Sequence, residues 1–271
     1  MRADSLRGLF YLTIMSMPVS SSSVEIIGHR GAASVAPENT LISVKTAWKL
    51  GADAAEIDVH LTKDHTIVVI HDATTKRTAG VDLKVSETTA DALRKLDVGS
   101  YKGKEFAGEI IPSLEAIIAT IPPARELFVE IKCGKEILPF LQDVIRRSEK
   151  MSHIIVISFD LETLAAFKQL MPTVPAYWLR GTDQDEQTKT WLPHPTEWIQ
   201  TATDQRLDGL DVEYHGVNKN FVDAVKASGL KLYVWTVNDL EEARQLKELG
   251  VDGITTDSPG RLVEHLKESK N

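Results

Sequence analysis

The chain has 271 residues, a formal net charge of −8 at pH 7 and a single cysteine. This length suits one large α/β domain or two small ones, and it allows a sizeable hydrophobic core. The negative charge and the absence of a Lys/Arg-rich block argue against a nucleic acid partner, because binding along a duplex needs a basic surface. Cys133 cannot form an intrachain disulfide, so the sequence permits a reducing compartment.

Residues 1–23 differ in composition from the rest of the chain. Two arginines precede an apolar stretch from Leu9 to Met17, and a proline and four serines follow it. The stretch is too short to span a bilayer, Asp4 interrupts the basic region, and no clear small-x-small cleavage site follows. We therefore predict a disordered leader on a cytoplasmic protein without a transmembrane segment. Export is the alternative if this segment is a signal peptide.

From Val24 onward, runs typical of strands alternate with runs typical of helices. The predicted strands are Val24–Gly28, Ala54–Leu61, Thr66–His71, Leu127–Lys132, Ile154–Phe159, Ala176–Leu179, Gly209–Tyr214, Leu232–Val237 and Gly253–Thr256. The predicted helices are Thr40–Leu50, Leu114–Ile121, Glu136–Lys150, Leu161–Met171, Phe221–Ala227, Leu240–Leu249 and Arg261–Lys267. Such sustained alternation implies a parallel sheet with helices outside it.

The second and third predicted strands are joined by only four residues, Thr62 and the turn Lys63-Asp64-His65, too few for a crossover helix. These two strands therefore form an antiparallel hairpin, and counting the hairpin as one position leaves eight. Eight parallel strands close a (β/α)8 TIM barrel, which we predict as one domain over residues 24–269. A doubly wound open sheet is the alternative, but no Gly-rich dinucleotide motif follows the first strand.

Two segments interrupt the alternation. Residues 73–111, after the second barrel position, carry turn formers and a short helical stretch at Thr89–Leu96. An insertion of this length either caps a site or faces solvent without a catalytic part. Residues 181–204 contain two tryptophans and an acidic run, and we predict a solvated loop and helix there, with help in selecting an alcohol as the alternative.

Charged residues stand at the ends of four predicted strands, in the strings His29-Arg30-Gly31, Glu56-Ile57-Asp58, Ile70-His71-Asp72 and Glu130-Ile131-Lys132. In a strand, residues i and i+2 point to the same face, so Glu56 lies beside Asp58 and Glu130 beside Lys132. Barrel enzymes build their sites from the ends of several strands in this way. The pattern therefore predicts a metal-assisted active site.

Glu56, Asp58 and Glu130 offer hard oxygen ligands, which suit Mg²⁺ or Ca²⁺ rather than zinc. The alternative is a structural ion pair with Arg30 or Lys132. We favour one divalent cation, because three clustered carboxylates and two cations are expensive to desolvate without a function.

Histidine is the natural acid or base near neutral pH. His29 and His71 alone among the eight histidines lie at strand tips beside other charged groups, so we predict catalysis for both. His60 shares a face with the carboxylates but lies further along, and a structural role is favoured for it. Arg30 and Lys132 are the candidates for binding a substrate anion.

Many short strings in the chain occur in one order that is characteristic of a known family. They are His29-Arg30-Gly31, Pro37-Glu38-Asn39-Thr40, Glu56-Ile57-Asp58-Val59, Leu61-Thr62-Lys63-Asp64, His71-Asp72, Phe106-Ala107-Gly108-Glu109, Ile111-Pro112-Ser113-Leu114, Glu130-Ile131-Lys132, Ser158-Phe159, Trp235-Thr236-Val237-Asn238, Asp252-Gly253-Ile254 and Thr256-Asp257. From about Val24 to Leu266 the chain resembles the glycerophosphodiester phosphodiesterases. His65 departs from the pattern, because the family commonly has a glycine in that turn.

The resemblance implies metal-dependent hydrolysis of a small-molecule glycerophosphodiester to glycerol 3-phosphate and an alcohol, with a cyclic phosphate intermediate. It implies His29 and His71 as general acid and base, Glu56, Asp58 and Glu130 as Mg²⁺ or Ca²⁺ ligands, and Arg30 and Lys132 near the phosphate. Trp235 and Phe159 are its candidates for contact with the glycerol end. Hydrolysis of lysophospholipids and a non-catalytic barrel that binds a phosphodiester stay as alternatives, and the oligomeric state is open.

Overall fold

The computed structural model describes residues 24–268. The predicted leader at residues 1–23 lies outside the described residues. Among the described residues, no helix combines the length and the apolar character needed to cross a membrane.

The order of strands and helices follows the prediction, with additional short helices. The strands are β1 (Glu25–Gly28), β2 (Ala54–Leu61), β3 (Ile67–Val69), β4 (Glu126–Ile131), β5 (Ile154–Ser158), β6 (Ala176–Arg180), β7 (Gly209–Glu213), β8 (Lys231–Trp235) and β9 (Gly253–Thr256). The helices are α1 (Leu41–Lys49), α2 (Lys76–Ala79), α3 (Ala90–Leu93), α4 (Leu114–Ile118), α5 (Leu138–Arg147), α6 (Leu161–Leu170), α7 (Glu197–Asp204), α8 (Lys219–Ala227), α9 (Leu240–Leu249) and α10 (Pro259–Glu268).

The sheet closes into a barrel. Eight strands pair in parallel around a ring, and the pairing of β1 with β2 at Ile27 and Ala54 completes it. Helices follow the strands of the ring, so the predicted (β/α)8 TIM barrel is confirmed. The doubly wound alternative is wrong, because an open sheet has two unpaired edges and lacks this closing pair.

The short strand β3 stands outside the ring as the predicted antiparallel partner of β2, with Val59 opposite Val69. The turn between them places His65 at a φ of 60°, a left-handed conformation that glycine adopts more easily. The His65 ring stacks on Phe140 with 4.8 Å between ring centroids. The turn therefore keeps its left-handed geometry with a histidine in it.

Alternation along the barrel strands separates two apolar layers. Side chains such as Val129, Leu210 and Leu232 point outward and pack with the surrounding helices in the largest core cluster. The alternate residues point inward, where Phe128, Tyr177 and Tyr233 form an aromatic cluster. The barrel interior is thus filled by side chains, and polar groups are left for its carboxyl end.

The insertion at residues 73–111 has a small core of its own. Apolar side chains of α3 and the flanking loops pack on residues of β3, in a cluster of Val68, Ile70, Val85, Ala90, Leu93, Val98 and Ile111. The insertion also reaches the loop between β1 and α1, where the Glu38 amide donates to the Tyr101 hydroxyl at 3.1 Å and Lys102 Nζ donates to the Ala33 carbonyl at 2.6 Å. It therefore lies against the loop that carries part of the charged cluster.

Residues 181–204 form a loop followed by helix α7, as predicted in outline. Trp198 of α7 is partly buried against the core, and the Arg180 guanidinium lies over its ring at 4.5 Å from the ring centroid. Trp191 is exposed and stacks on His215 at 4.3 Å between ring centroids. Of the two tryptophans, one is thus structural and one faces solvent.

Candidate active site

One pocket lies at the carboxyl ends of the barrel strands. Its lining contains the predicted site residues His29, Arg30, Glu56, His71, Glu130, Lys132, Phe159 and Trp235. Asp58, which is 1% exposed, is buried beside this group, with a carboxylate oxygen within 4.8 Å of oxygens of Glu56 and Glu130. The structure therefore brings together all nine side chains that were singled out from the sequence.

A strained turn after β1 begins the site. Arg30 has a φ of 51° and Gly31 a φ of 87°, both left-handed. This conformation lets the Arg30 amide donate to Glu56 Oε2 at 2.8 Å. A Cβ on Gly31 would lie 2.5 Å from the backbone carbon of Ser43, so only glycine fits where the turn crosses the start of α1.

Glu56, Asp58 and Glu130 form the acidic cluster, and one oxygen from each lies within 4.8 Å of the others. Burial is the main cause that raises the pKa of Glu56 well above its ordinary value, and the charges of Asp58 and Glu130 add to it. Burial and Asp58 likewise raise the pKa of Glu130 to about 7. The three carboxylates repel one another in a poorly solvated place, so a cation among them would relieve the repulsion.

Asn39 holds Asp58 in place. Its side-chain Nδ2 donates to Asp58 Oδ2 at 2.7 Å, and its Oδ1 accepts from the Asp58 amide at 3.1 Å. Asn39 belongs to a string that carried the family resemblance, but the sequence alone assigned it no role. It supports a carboxylate from the loop between β1 and α1.

Two cations border the cluster. Lys132 Nζ donates to Glu130 Oε1 at 2.8 Å, and Arg30 Nε lies 3.4 Å from Asp58 Oδ2. Burial acts to lower the pKa of Lys132, but the charges of Glu130 and Asp58 outweigh it, so that pKa stands above its ordinary value. The ion pairs considered as the alternative to a metal site therefore exist.

These ion pairs leave part of the cluster unsatisfied. Glu56 Oε1 is buried and has no hydrogen-bond partner among the described residues. Its neighbours in the cluster are the hard oxygen donors that Mg²⁺ and Ca²⁺ prefer. The acidic cluster is thus able to bind a metal ion. Ion pairs alone leave Glu56 Oε1 without a partner, so a divalent cation accounts for the cluster better than a purely structural role does.

His29 and His71 are each held at Nδ1 by a carboxylate. His29 Nδ1 lies 2.7 Å from Asp257 Oδ1, and His71 Nδ1 lies 2.6 Å from Asp72 Oδ1. The Nε2 atom of each ring is left on the side of the charged cluster, 4.0 Å from Glu56 Oε2 for His29 and 3.3 Å from Lys132 Nζ for His71. Both rings therefore present the nitrogen that can exchange a proton with a bound molecule.

The carboxylates that hold the histidines are themselves anchored. Asn238 Nδ2 donates to Asp257 Oδ2 at 2.6 Å, and Arg77 Nε of α2 donates to Asp72 Oδ2 at 2.7 Å. The hydrogen bond from Arg77 is the main cause that lowers the pKa of Asp72 to about 2. Sequence analysis assigned no role to Asp257 or Arg77. Asp257 lies 228 positions from His29, whereas Arg77 lies only five positions from Asp72 but within the insertion, away from the strand ends that carry the charged strings.

His60 has a structural role, as favoured from the sequence. It is 8% exposed, and its Nε2 donates to the backbone carbonyl of His71 at 3.1 Å. Burial lowers its pKa, which favours the neutral ring. His60 therefore supports the backbone next to His71 instead of joining the acidic cluster.

An apolar wall faces the charged side of the pocket. The rings of Phe159 and Trp235 meet edge to face with 5.6 Å between centroids, and Ile157 and Leu179 continue the wall. Trp235 Nε1 donates to the carbonyl of Asp211 at 3.1 Å, which fixes the indole. The pocket thus has one ionic side and one apolar side.

Comparison with known proteins agrees with this geometry. Residues 29–261 match the model of the glycerophosphoryl diester phosphodiesterase family. The chain belongs to that family. The predicted class of enzyme, a glycerophosphodiester phosphodiesterase, is confirmed.

Relatives of this family match over nearly the whole chain. A glycerophosphodiester phosphodiesterase from Caldanaerobacter subterraneus is 33% identical over 243 residues, which are 88% of this chain and 96% of the relative. The structure of an Oleispira antarctica phosphodiesterase in complex with its product sn-glycerol-3-phosphate is 28% identical, with a TM-score of 0.80 over 90% of this chain and 96% of that one. A glycerophosphodiester phosphodiesterase structure from Thermotoga maritima has 27% identity and a TM-score of 0.71, covering 89% of this chain and 97% of that one.

Proposed function

We propose that this phosphodiesterase hydrolyses glycerophosphodiesters to glycerol 3-phosphate and an alcohol, with a divalent cation and two catalytic histidines. The observation that carries the proposal is the placement of His29 and His71 in one pocket with the acidic cluster. A non-catalytic barrel would not need two histidines whose Nε2 atoms border the same space beside the acidic cluster.

The proposed ligands for the cation are Glu56, Asp58 and Glu130. A divalent cation there, Mg²⁺ or Ca²⁺, would polarise a phosphoryl oxygen and lower the pKa of a nearby hydroxyl. Asn39 keeps Asp58 in position, and the Arg30 amide keeps Glu56 in position. Arg30 and Lys132 contribute positive charge beside the phosphate oxygens.

The two histidines move the protons in two steps. In the first, the glycerol hydroxyl next to the phosphate attacks phosphorus and gives its proton to one histidine, while the other protonates the departing alcohol as its bond to phosphorus breaks. A cyclic phosphate of glycerol results. In the second step the roles exchange, so that water attacks phosphorus and the ring opens to glycerol 3-phosphate. Because the nucleophile is tethered to the substrate, no serine or cysteine nucleophile is required.

In this proposal the glycerol end of the substrate contacts the apolar wall of Phe159 and Trp235, whose rings meet edge to face in the pocket lining. The phosphate would bind on the ionic side of the pocket. Phe159 is 46% exposed at the mouth of the pocket, so a substrate can also reach it from outside.

The deciding experiment is release of glycerol 3-phosphate from sn-glycero-3-phosphocholine, measured with EDTA and after Mg²⁺ or Ca²⁺ is added back. We expect release that EDTA abolishes and the metal restores. Release that is insensitive to exhaustive chelation would refute the metal requirement. Absence of product from this and other headgroup diesters and from lysophospholipids would favour the binding barrel.

A further inference from the structure

A buried carboxyl group with no role in the proposed chemistry lies in the pocket wall. Asp211 lies on β7 in register between Leu179 of β6 and Tyr233 of β8, both of which point into the barrel. Its side chain lines the pocket and is only 2% exposed. Alternation along β7 turns Leu210 and Val212 outward, so Asp211 is an inward residue.

The carboxyl group of Asp211 has no partner in the described part of the chain. Among the described residues, nothing forms a hydrogen bond to its buried Oδ1, and none forms an ion pair with it. By contrast, Asp208, just before β7, pairs with Lys168 Nζ at 2.6 Å. A buried carboxyl group without a hydrogen bond destabilises the fold, so its presence in a pocket indicates that a ligand supplies the missing partner.

The residues around Asp211 indicate which chemical group of a ligand its carboxyl group would bind. Asp211 is not one of the three carboxylates whose oxygens cluster within 4.8 Å. Burial, and next the charge of Glu130, raise its pKa well above its ordinary value, which favours the neutral acid. A neutral carboxyl group both donates and accepts hydrogen bonds, as a hydroxyl does. The apolar residues Leu179 and Trp235 beside it suit the carbons that bear such a hydroxyl.

We infer that Asp211 binds the terminal hydroxyl of the glycerol moiety, the one that takes no part in the reaction, and so selects unacylated glycerophosphodiesters. The inference rests on the proposed function. The Trp235 indole donates a hydrogen bond to the backbone carbonyl of Asp211. This bond holds the apolar wall next to the residue that would bind the hydroxyl. An acyl chain on the terminal oxygen would remove its proton, so the accepting oxygen of the Asp211 carboxyl group would have no donor.

The test compares two diesters with the same choline leaving group. One is sn-glycero-3-phosphocholine, and the other is 2-hydroxyethyl phosphocholine, which keeps the attacking hydroxyl and lacks the terminal hydroxymethyl group. We expect wild type to favour the glycerol diester at least about 100-fold in kcat/KM, because a site built to hydrogen-bond a hydroxyl rejects the analogue without it. In Asp211→Leu this preference should fall to less than about tenfold.

Further variants separate recognition from folding. Asp211→Asn keeps a donor and an acceptor and should retain most of the preference, whereas Asp211→Ala should lose it as Asp211→Leu does. The Ala variant decides the question if the Leu variant does not fold. The matched control is Asp208→Asn, which breaks an ion pair outside the pocket and should keep the wild-type preference. We also expect a higher Tm for Asp211→Leu than for wild type, because the unsatisfied buried carboxyl group is gone.

The outcomes are distinguishable. If wild type releases product from neither diester, the proposed function itself fails. If wild type is active but the apolar variants keep its preference, the inference about Asp211 is wrong while the function stands. Faster wild-type turnover of lysophosphatidylcholine than of glycerophosphocholine would also overturn it, as would folded apolar variants that are inactive on both diesters.

Discussion

Asp257, at the end of the last barrel strand, holds His29, at the end of the first. The Asp257 Oδ1 atom lies 2.7 Å from His29 Nδ1, and the pKa of Asp257 is lowered because the hydrogen bond and charge of His29 outweigh the effect of burial. Asn238 holds the other carboxylate oxygen and also accepts from the Asp257 amide at 2.9 Å. A carboxylate at Nδ1 fixes the proton on that nitrogen and leaves Nε2 free to accept one.

We predict that Asp257→Asn lowers kcat at least about tenfold, because an amide can no longer favour the required tautomer or stabilise the protonated ring. The fall in kcat is measured by steady-state kinetics with glycerophosphocholine over a range of pH values. The pH dependence of kcat should change with the substitution, and a merely structural role would leave it unchanged. Asp239→Asn is the control, because Asp239 caps α9 on the same rim, where its side chain accepts from the Glu241 and Glu242 amides.

His29→Ala and His71→Ala should each lower kcat by about 10²- to 10⁴-fold, the usual contribution of a positioned acid or base. Binding of metal and substrate should change little, which calorimetric titration with the product glycerol 3-phosphate can establish. Near-normal turnover in either variant would refute the two-histidine mechanism. His153→Ala serves as the control, because His153 directly precedes β5 and forms a hydrogen bond with the Arg125 carbonyl outside the pocket.

Glu130→Gln should weaken metal binding and activity together. In wild type, Mg²⁺ or Ca²⁺ at 100 times its Kd should stabilise the fold by about 2.7 kcal/mol, because a ligand that binds only the folded state adds to its stability. Thermal unfolding of chelated protein with increasing metal measures this independently of activity. An equal rise in Tm for wild type and for Glu130→Gln would place the metal elsewhere.

Gly31→Ala should destabilise the protein by more than about 2 kcal/mol, because it combines a left-handed φ with a close contact. The control is Gly80→Ala, since Gly80 has a φ of 71° and an added Cβ there would lie in open space. Only the conformational cost, about 1–2 kcal/mol, applies there. Urea unfolding of both variants separates the two effects, and equal losses would mean that Ser43 yields to the added methyl group.

Cys133 should react slowly with alkylating reagents. Burial is the main cause that raises the pKa of its thiol to about 11, so the thiolate is scarce at pH 8. The alkylation rate should rise about tenfold for each pH unit between 8 and 10, since the pKa lies above that range. Mass spectrometry of iodoacetamide-treated protein gives the rate, and the same chain in urea is the reference. A rate that levels off near pH 9 would contradict the raised pKa.

Local patterns were sufficient to predict the barrel. Alternation of strands and helices fixed the class, and the five residues between β2 and β3 are too few for anything but a hairpin. Element ends were less predictable: α5 was predicted from Glu136 but begins as an α-helix at Leu138, after a 3-10 turn at Lys135–Ile137. The α and 3-10 forms share local patterns, and tertiary packing chooses between them.

The candidate site was predictable where its residues share a short string. Glu56 and Asp58 lie on one strand face, and that follows from alternation alone. The contact of His29 with Asp257 joins residues 228 positions apart and follows only from closure of the barrel. Asp211 is flanked by apolar residues that predict a strand, but the lack of a partner for its carboxyl group is a property of the folded interior.

Closure of the barrel between β1 and β9 has a consequence for synthesis of the protein. The ribosome delivers His29 early, but its anchor Asp257 and the strand that pairs with β1 follow only after more than 200 further residues. Until β9 has emerged and docked, β1 has an open edge and His29 lacks its partner. A nascent chain therefore cannot assemble the complete catalytic pocket part-way through translation, and catalytic competence arrives with the final strand.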